Sequence, residues 1–158
     1  MASGSVGVGH VRPLQDPRHS ADKTIMFEWK EEFSIGMPHI DAQHQELFRL
    51  AENLYKAMSA GQGKAALEAT LDRLVRYTEE HFAAEERLMR LNDYNAQIAH
   101  KTEHQALTRQ VRQFQADFEG GRTTMAVPVL QFVRTWLEEH IKGSDMKLAN
   151  FVRLRTAA

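Results

Sequence analysis

The stretch that decides the fold is residues 81–104, HFAAEERLMRLNDYNAQIAHKTEH. Apolar residues recur in it at intervals of three and four on both sides of Asn92, which predicts two amphipathic helices joined by a turn. Residues four apart lie one turn apart on the same helix face, so polar residues at that spacing can converge on one point. Two pairs with this spacing lie on the inward stripes: His81 with Glu85, and His100 with His104.

The same helical period extends in both directions from this stretch. We predict four helices, over about residues 38–60, 64–91, 95–118 and 124–142, with glycines after each helix but the second. Short connections make successive helices neighbours, which favours an all-α, antiparallel up-down-up-down four-helix bundle. An apolar N-terminal arm over residues 26–35 precedes it, and a short C-terminal helix follows it. We expect residues 1–24 to be a flexible tail and residues 25–155 to form the folded domain.

Composition excludes several classes of function. The 158 residues are 42% hydrophobic and 26% charged, with a formal net charge of -1, so no basic excess is available to bind nucleic acid. No apolar run is long enough to span a membrane, and no secretory signal precedes the domain, so we expect a cytoplasmic protein. The absence of cysteine excludes disulfides, iron–sulfur clusters and thiolate zinc sites, and leaves histidine and carboxylates as the strong metal ligands.

Histidine occupies the inward stripes unusually often. Burying an unsatisfied polar group costs roughly 1–3 kcal/mol, so a small core with five unpartnered imidazoles and a carboxylate is implausible. A bound cation would be a common partner for all of them. In an antiparallel bundle the five histidines also come to one end: His44, His81, His100, His104 and His140.

Asp145 completes the candidate ligand set. It follows His140 by five residues, which in a continuous α-helix rotates it roughly 140° off the stripe. We therefore expect the helix to stop at Gly143, with Ser144 capping a short new turn that carries Asp145 inward. Five histidines and two carboxylates are too many ligands for one tetrahedral zinc ion and suit two ions that share bridging groups.

The residues that carry this pattern resemble the hemerythrin family, in particular its single-domain bacterial members, the bacteriohemerythrins. The resemblance covers about residues 27–154 and rests on IDAQHQEL at 40–47, HFAAEE at 81–86, HKTEH at 100–104 and HIKGSD at 140–145. It implies two non-haem iron ions with a bridging oxo or hydroxo group, which bind O2 reversibly.

The resemblance also implies a role for each site residue. One iron would be held by His100, His104 and His140, the other by His44 and His81, with Glu85 and Asp145 bridging both. The O2 pocket would be lined by four apolar side chains: Leu47, Phe82, Trp136 and Ile141. Leu148 is a departure, because many members of the family carry tyrosine there.

We expect an O2-binding protein rather than an enzyme, and a monomer. Storage, transport, delivery to an O2-consuming partner enzyme, and sensing would all use the same site, and nitric oxide or azide would compete for it. Two alternatives remain open. His100 to His104 fits the H-x-x-E-H motif of zinc peptidases, with Glu103 as the base. A di-iron oxidase or peroxidase is the other, although such sites are richer in carboxylates.

Overall fold

The computed structural model describes residues 26–122 and 127–157, so the predicted tail over residues 1–24 lies outside the described part. A short 3₁₀ turn, Glu31–Phe33, precedes the first long helix. The α-helices are α1 (Pro38–Ser59), α2 (Lys64–Leu91), α3 (Gln97–Glu119), α4 (Val127–His140) and α5 (Met146–Thr156). Three of the predicted long helices therefore begin and end within about two residues of their expected bounds.

The prediction of an all-α four-helix bundle is confirmed. Helix α2 packs against both α1 and α3, and α4 packs against α1, while the described ranges contain no strand. Gly61 and Gly121, both with positive φ, lie just after the ends of α1 and α3, where a left-handed residue lets the chain reverse. Among residues 26–122 and 127–157, no helix has the length and apolar character needed to cross a membrane.

The N-terminal arm is tied to α1 by two buried carboxylates. Glu52 Oε2 accepts the backbone N–H groups of Met26 at 3.0 Å and Phe27 at 2.9 Å. Asp41 accepts the backbone N–H of Ile35 at 2.8 Å and of Gly36 at 3.1 Å. Because buried backbone donors need acceptors, these two side chains fix the path of the arm over the bundle.

Gly36 marks the point where the arm turns into α1, and α5 covers it. Its φ of 73° lies in the left-handed region, and a Cβ at this position would lie 2.5 Å from Arg153 Nη1. The same guanidinium nitrogen donates a hydrogen bond to the carbonyl of Ile35 at 2.7 Å. The end of α5 is thus held against the start of α1.

The two ends of the bundle differ in character. Apolar side chains fill the end formed by late α1, early α2, late α3 and early α4, where Leu54, Leu71, Phe118 and Leu130 are all buried. The buried histidines lie at the opposite end. The apolar end supplies the packing that keeps four helices in register around a polar site.

The connection from α4 to α5 corrects one prediction. The helix does not stop at Gly143, and Ser144 does not cap a new turn; instead the chain continues through a π-helical turn, Ile141–Asp145. A π turn has i→i+5 hydrogen bonds and so contains one extra residue per turn. Residues five apart then share a face, which is how Asp145 returns to the side of His140.

Candidate metal centre

Seven buried side chains from four helices and the π turn meet at the polar end of the bundle. Their ligand atoms form two groups in which all atoms lie within 4.8 Å of one another. We call the first the three-histidine group; it consists of His100, His104, His140, Glu85 and Asp145. We call the second the two-histidine group; it consists of His44, His81, Glu85 and Asp145. The two groups share both carboxylates.

Asp145 presents a different oxygen to each group. Its Oδ1 atom lies 3.0 Å from the Nε2 atoms of both His100 and His140, in the three-histidine group. Its Oδ2 atom lies 3.2 Å from Nε2 of His44, in the two-histidine group. One oxygen toward each group is the arrangement that a carboxylate bridging two metal ions requires.

Glu85 divides its oxygens in the same way. Oε2 lies 3.1 Å from Nε2 of His104 and 3.7 Å from Nε2 of His100. Oε1 lies 3.7 Å from Nε2 of His81 and 4.0 Å from Nε2 of His44. Each of the two carboxylates, one from α2 and one from the π turn, therefore has one oxygen near each group.

The outward nitrogens of three imidazoles are fixed by side chains that the sequence did not single out for this purpose. His81 Nδ1 lies 3.0 Å from Oε1 of Gln43, and His104 Nδ1 lies 3.4 Å from Oε1 of Glu86. His140 Nδ1 lies 3.1 Å from Oε2 of Glu103. In a neutral imidazole an acceptor at Nδ1 places the N–H on that nitrogen, which leaves the lone pair of Nε2 facing the centre. Each of these three partners is next to a candidate ligand in the sequence but contacts a histidine on a different helix. The spacing of residues along the chain therefore does not identify them.

The candidate ligands differ in protonation when no metal is bound. Burial lowers the pKa of His140, but hydrogen bonds and charge from Asp145 and Glu103 outweigh it and raise that pKa, so a cation that binds there displaces a proton. Burial lowers the pKa of His81 to about 3 and that of His104 to about 2, so both imidazoles are neutral near pH 7. Burial and the adjacent Asp145 raise the pKa of Glu85 well above its usual value. Burial alone would raise the pKa of Asp145, but hydrogen bonds from His100 and His140 hold it well below its usual value. The pair therefore carries less than its full charge when no cation is present.

Several atoms at the centre have no hydrogen-bond partner. Both nitrogens of His44, both oxygens of Glu85 and Oδ2 of Asp145 are buried and unsatisfied. In addition, Nε2 of His140 lies only 3.2 Å from Nε2 of His100 and 3.1 Å from Nε2 of His104. Ring nitrogens this close need a proton or a cation between them, because two facing lone pairs repel one another. The donor set, nitrogen-rich with two shared carboxylates, fits a pair of transition-metal ions.

The four residues expected to line an O2 pocket are buried or half-buried, and the two aromatic ones contact candidate ligands. Leu47, Phe82 and Ile141 are buried, and Trp136 is half-buried. The Phe82 ring stacks on the His104 ring at 3.9 Å between centroids, and Trp136 stacks on His140 at 5.5 Å. A surface cavity of about 340 Å³ between α2 and α3 reaches Phe82 and His104. Phe82 and His104 thus form part of the wall of this cavity.

The H-x-x-E-H motif does not form a peptidase-like site. The carboxylate of Glu103 contacts the outer nitrogen of His140, away from the Nε2 atoms of His100 and His104. A peptidase base must instead reach the water at the metal. Leu148, the departure noted in the sequence, is buried and packs with Met89 and Tyr94.

Comparisons with known proteins agree with this geometry. The family model described as the hemerythrin HHE cation binding domain matches residues 36–152. A bacteriohemerythrin of Stenotrophomonas maltophilia is 31% identical over 125 residues, which are 79% of this chain and 80% of that protein. One from Clostridium acetobutylicum is 31% identical over 76% of this chain and 96% of its own. A crystal structure of a hemerythrin variant superposes with a TM-score of 0.76 at 28% identity, and covers 80% of this chain and 96% of that one.

Proposed function

Because the chain belongs to the hemerythrin HHE cation binding domain family, we propose that it holds two non-haem iron ions and binds O2 reversibly. The observation that carries this proposal is the pair of shared carboxylates, Glu85 and Asp145, each with one oxygen toward each histidine group. A single metal ion would not require two carboxylates that each have one oxygen toward each group. When bound, the iron pair supplies the electrons for reversible binding of O2.

The two groups support an assignment of ligands to two ions. One ion would be held by the three-histidine group and the other by the two-histidine group, which share Glu85 and Asp145, and an oxo or hydroxo group would complete the centre. The three-histidine group offers five protein ligands and the two-histidine group four. With one protein ligand fewer, the two-histidine group would leave room for a further ligand, and we propose that O2 binds on that side.

The surrounding residues keep the site dry and rigid. Leu47 is 1% exposed and Ile141 is 1% exposed, and both are apolar, so they exclude water and favour a small neutral ligand. Phe82 forms part of the wall of the cavity between α2 and α3. Nitric oxide and azide are the competing ligands that such a site admits.

The donor set favours a carrier over an oxidase. Di-iron oxidases of the ferritin-like class use four glutamates and two histidines, and anionic ligands stabilise highly oxidised iron. This centre has five imidazoles and two carboxylates. We therefore propose a binding protein without catalytic residues, used for O2 storage, transport, delivery or sensing.

The test is the iron content and the visible spectrum of the purified protein. We expect two irons per chain and a charge-transfer band that appears in air and disappears under vacuum or argon, through several cycles. The histidine variant His44→Ala, folded but with reduced iron, should lack the band. One colourless zinc ion per chain, or a band that bleaches irreversibly in the first cycle, would contradict the proposal.

A further inference from the structure

The outer partners of the candidate ligands differ in charge between the two groups. In the three-histidine group, His104 and His140 have their Nδ1 atoms on the carboxylates of Glu86 and Glu103. In the two-histidine group, His81 has its Nδ1 on the neutral amide of Gln43. A carboxylate behind a ligating imidazole makes that imidazole a stronger donor than an amide does.

Like His100 of the three-histidine group, whose Nδ1 is buried without a hydrogen-bond partner, His44 of the two-histidine group has no such partner. Its Nδ1 atom forms no hydrogen bond, and the nearest carboxylate oxygen is Oδ1 of Asp41 at 3.9 Å. Asp41 is already committed to the arm, because its oxygens accept hydrogen bonds from Ser34, Ile35 and Gly36. Both outer carboxylates in contact with candidate ligands, Glu86 and Glu103, thus lie behind the three-histidine group, although Glu86 is also paired with Lys101 at 3.3 Å.

Glu103 has a second contact that ties it to the π turn. Its Oε2 atom accepts a hydrogen bond from the hydroxyl of Ser144 at 2.6 Å as well as contacting His140 Nδ1 at 3.1 Å. Ser144 directly precedes Asp145 within the turn Ile141–Asp145. One oxygen from α3 therefore holds a ligand at the end of α4 and the backbone that presents a bridging carboxylate.

We propose that Glu103 is a positioning residue that fixes His140 and the π turn, and that together with Glu86 it makes the three-histidine group the more electron-rich half of the centre. The iron held there is bound more tightly and is more stable in the ferric state than its neighbour. This inference rests on the proposed di-iron function. It also gives Glu103, the glutamate of the H-x-x-E-H motif, a positioning role in place of the role of a peptidase base.

Two substitutions separate the position of Glu103 from its charge. Glu103→Ala removes the acceptor, and Glu103→Gln keeps an acceptor but removes the charge. Glu139→Gln is the matched control, because Glu139 is exposed and adjacent in sequence to His140. All are purified with iron, checked by circular dichroism, and measured for iron release to a chelator and for midpoint potential by anaerobic titration.

We expect Glu103→Ala to bind one of its two irons with roughly 10–100-fold lower affinity, the usual effect of losing a hydrogen-bond partner of a metal ligand. Glu103→Gln should retain both irons, with the midpoint potential shifted upward because ferric iron loses a nearby negative charge. Glu139→Gln should match the parent in both measurements. A purely structural role would lower the melting temperature without shifting the potential.

An unchanged potential in Glu103→Gln, or iron release from Glu103→Ala as slow as from Glu139→Gln, overturns this inference. The iron content of the parent keeps it distinct from the proposed function. If the parent does not bind two irons, both proposals are wrong. If the parent binds two irons and the Glu103 variants match it in iron release and midpoint potential, only this inference is wrong.

Discussion

Replacing Asp145 by asparagine tests the shared carboxylates directly, because asparagine keeps the shape of the side chain and removes its charge. Asp145 is fully buried, and its two oxygens lie 3.0–3.2 Å from three imidazoles that belong to different groups. Losing one partner of a buried charge pair costs about 3–5 kcal/mol. At about 1.4 kcal/mol for each factor of ten, this corresponds to a loss of roughly a hundredfold to a few thousandfold in affinity.

The stoichiometry distinguishes a bridge from an ordinary ligand. Because Asp145 belongs to both groups, Asp145→Asn should weaken both ions and leave well under one iron per chain after dialysis against a chelator. His81→Ala removes a ligand of the two-histidine group alone, so it should retain about one iron. Asp93→Asn is the control, because the side chain of Asp93 is 85% exposed. Elemental analysis and circular dichroism measure iron and fold separately.

A result in which Asp145→Asn retains two irons with the affinity of the parent would refute the reasoning. So would a variant that loses one iron and keeps the second as firmly as His81→Ala does. Either outcome would mean that Asp145 serves one ion or none, whatever the distances suggest.

Three further changes test the pocket, the fold and the pH dependence. Leu47→Asn places an amide where a buried apolar side chain excludes water, so it should speed autoxidation of the O2-bound form, read as decay of the visible band, with iron content unchanged. Gly36→Ala forces a Cβ onto a left-handed residue 2.5 Å from an α5 guanidinium, and should lower the free energy of unfolding by about 2 kcal/mol in urea titrations; no change would disprove the strain. In metal-free protein, the pKa values of His81 and His104 are lowered by burial to about 3 and about 2, so below pH 6.5 the unfolded chain binds two protons that the folded chain does not. The raised pKa of Glu85 keeps one proton on the folded chain and offsets one of them. The free energy of unfolding should therefore fall by about 1 kcal/mol between pH 6 and pH 5, and a flat profile would contradict this.

The helices and the convergence of the polar residues could be predicted from the sequence because both depend on local periodicity. His81 and Glu85, and likewise His100 and His104, are four apart, and a helix places such residues on one face whatever surrounds it. Glycines and the Asn92 turn marked the helix ends. Antiparallel order then brought the histidines to one end.

The route to Asp145 could not be predicted in the same way. Gly143 and Ser144 are typical of a helix end, and the sequence favoured a stop and a new cap. The structure instead inserts a π turn, which is stabilised by contacts between elements, including the hydroxyl of Ser144 on the carboxylate of Glu103. Such contacts depend on which residues face one another across helices, and a pattern along one chain does not contain that information.

The N-terminal arm has a practical consequence for anyone dividing this protein into fragments. Trp29 lies over the imidazole of His44, with centroids 6.4 Å apart and planes 26° from parallel, and it also contacts Phe48 edge-on at 5.9 Å. The arm therefore roofs the two-histidine side, although it contributes no candidate ligand.

A fragment cut at the start of α1, at Pro38, or at the family boundary at residue 36, would contain all seven polar residues and still lack this roof. His44 would then lose the ring that covers it, and Glu52 would lose the two main-chain N–H groups of the arm and keep only Lys56, at 3.6 Å. Truncations and fusion junctions are thus best placed upstream of Met26. A fragment that begins at Pro38 contains every candidate ligand, but only a fragment that includes the arm also shields them from water.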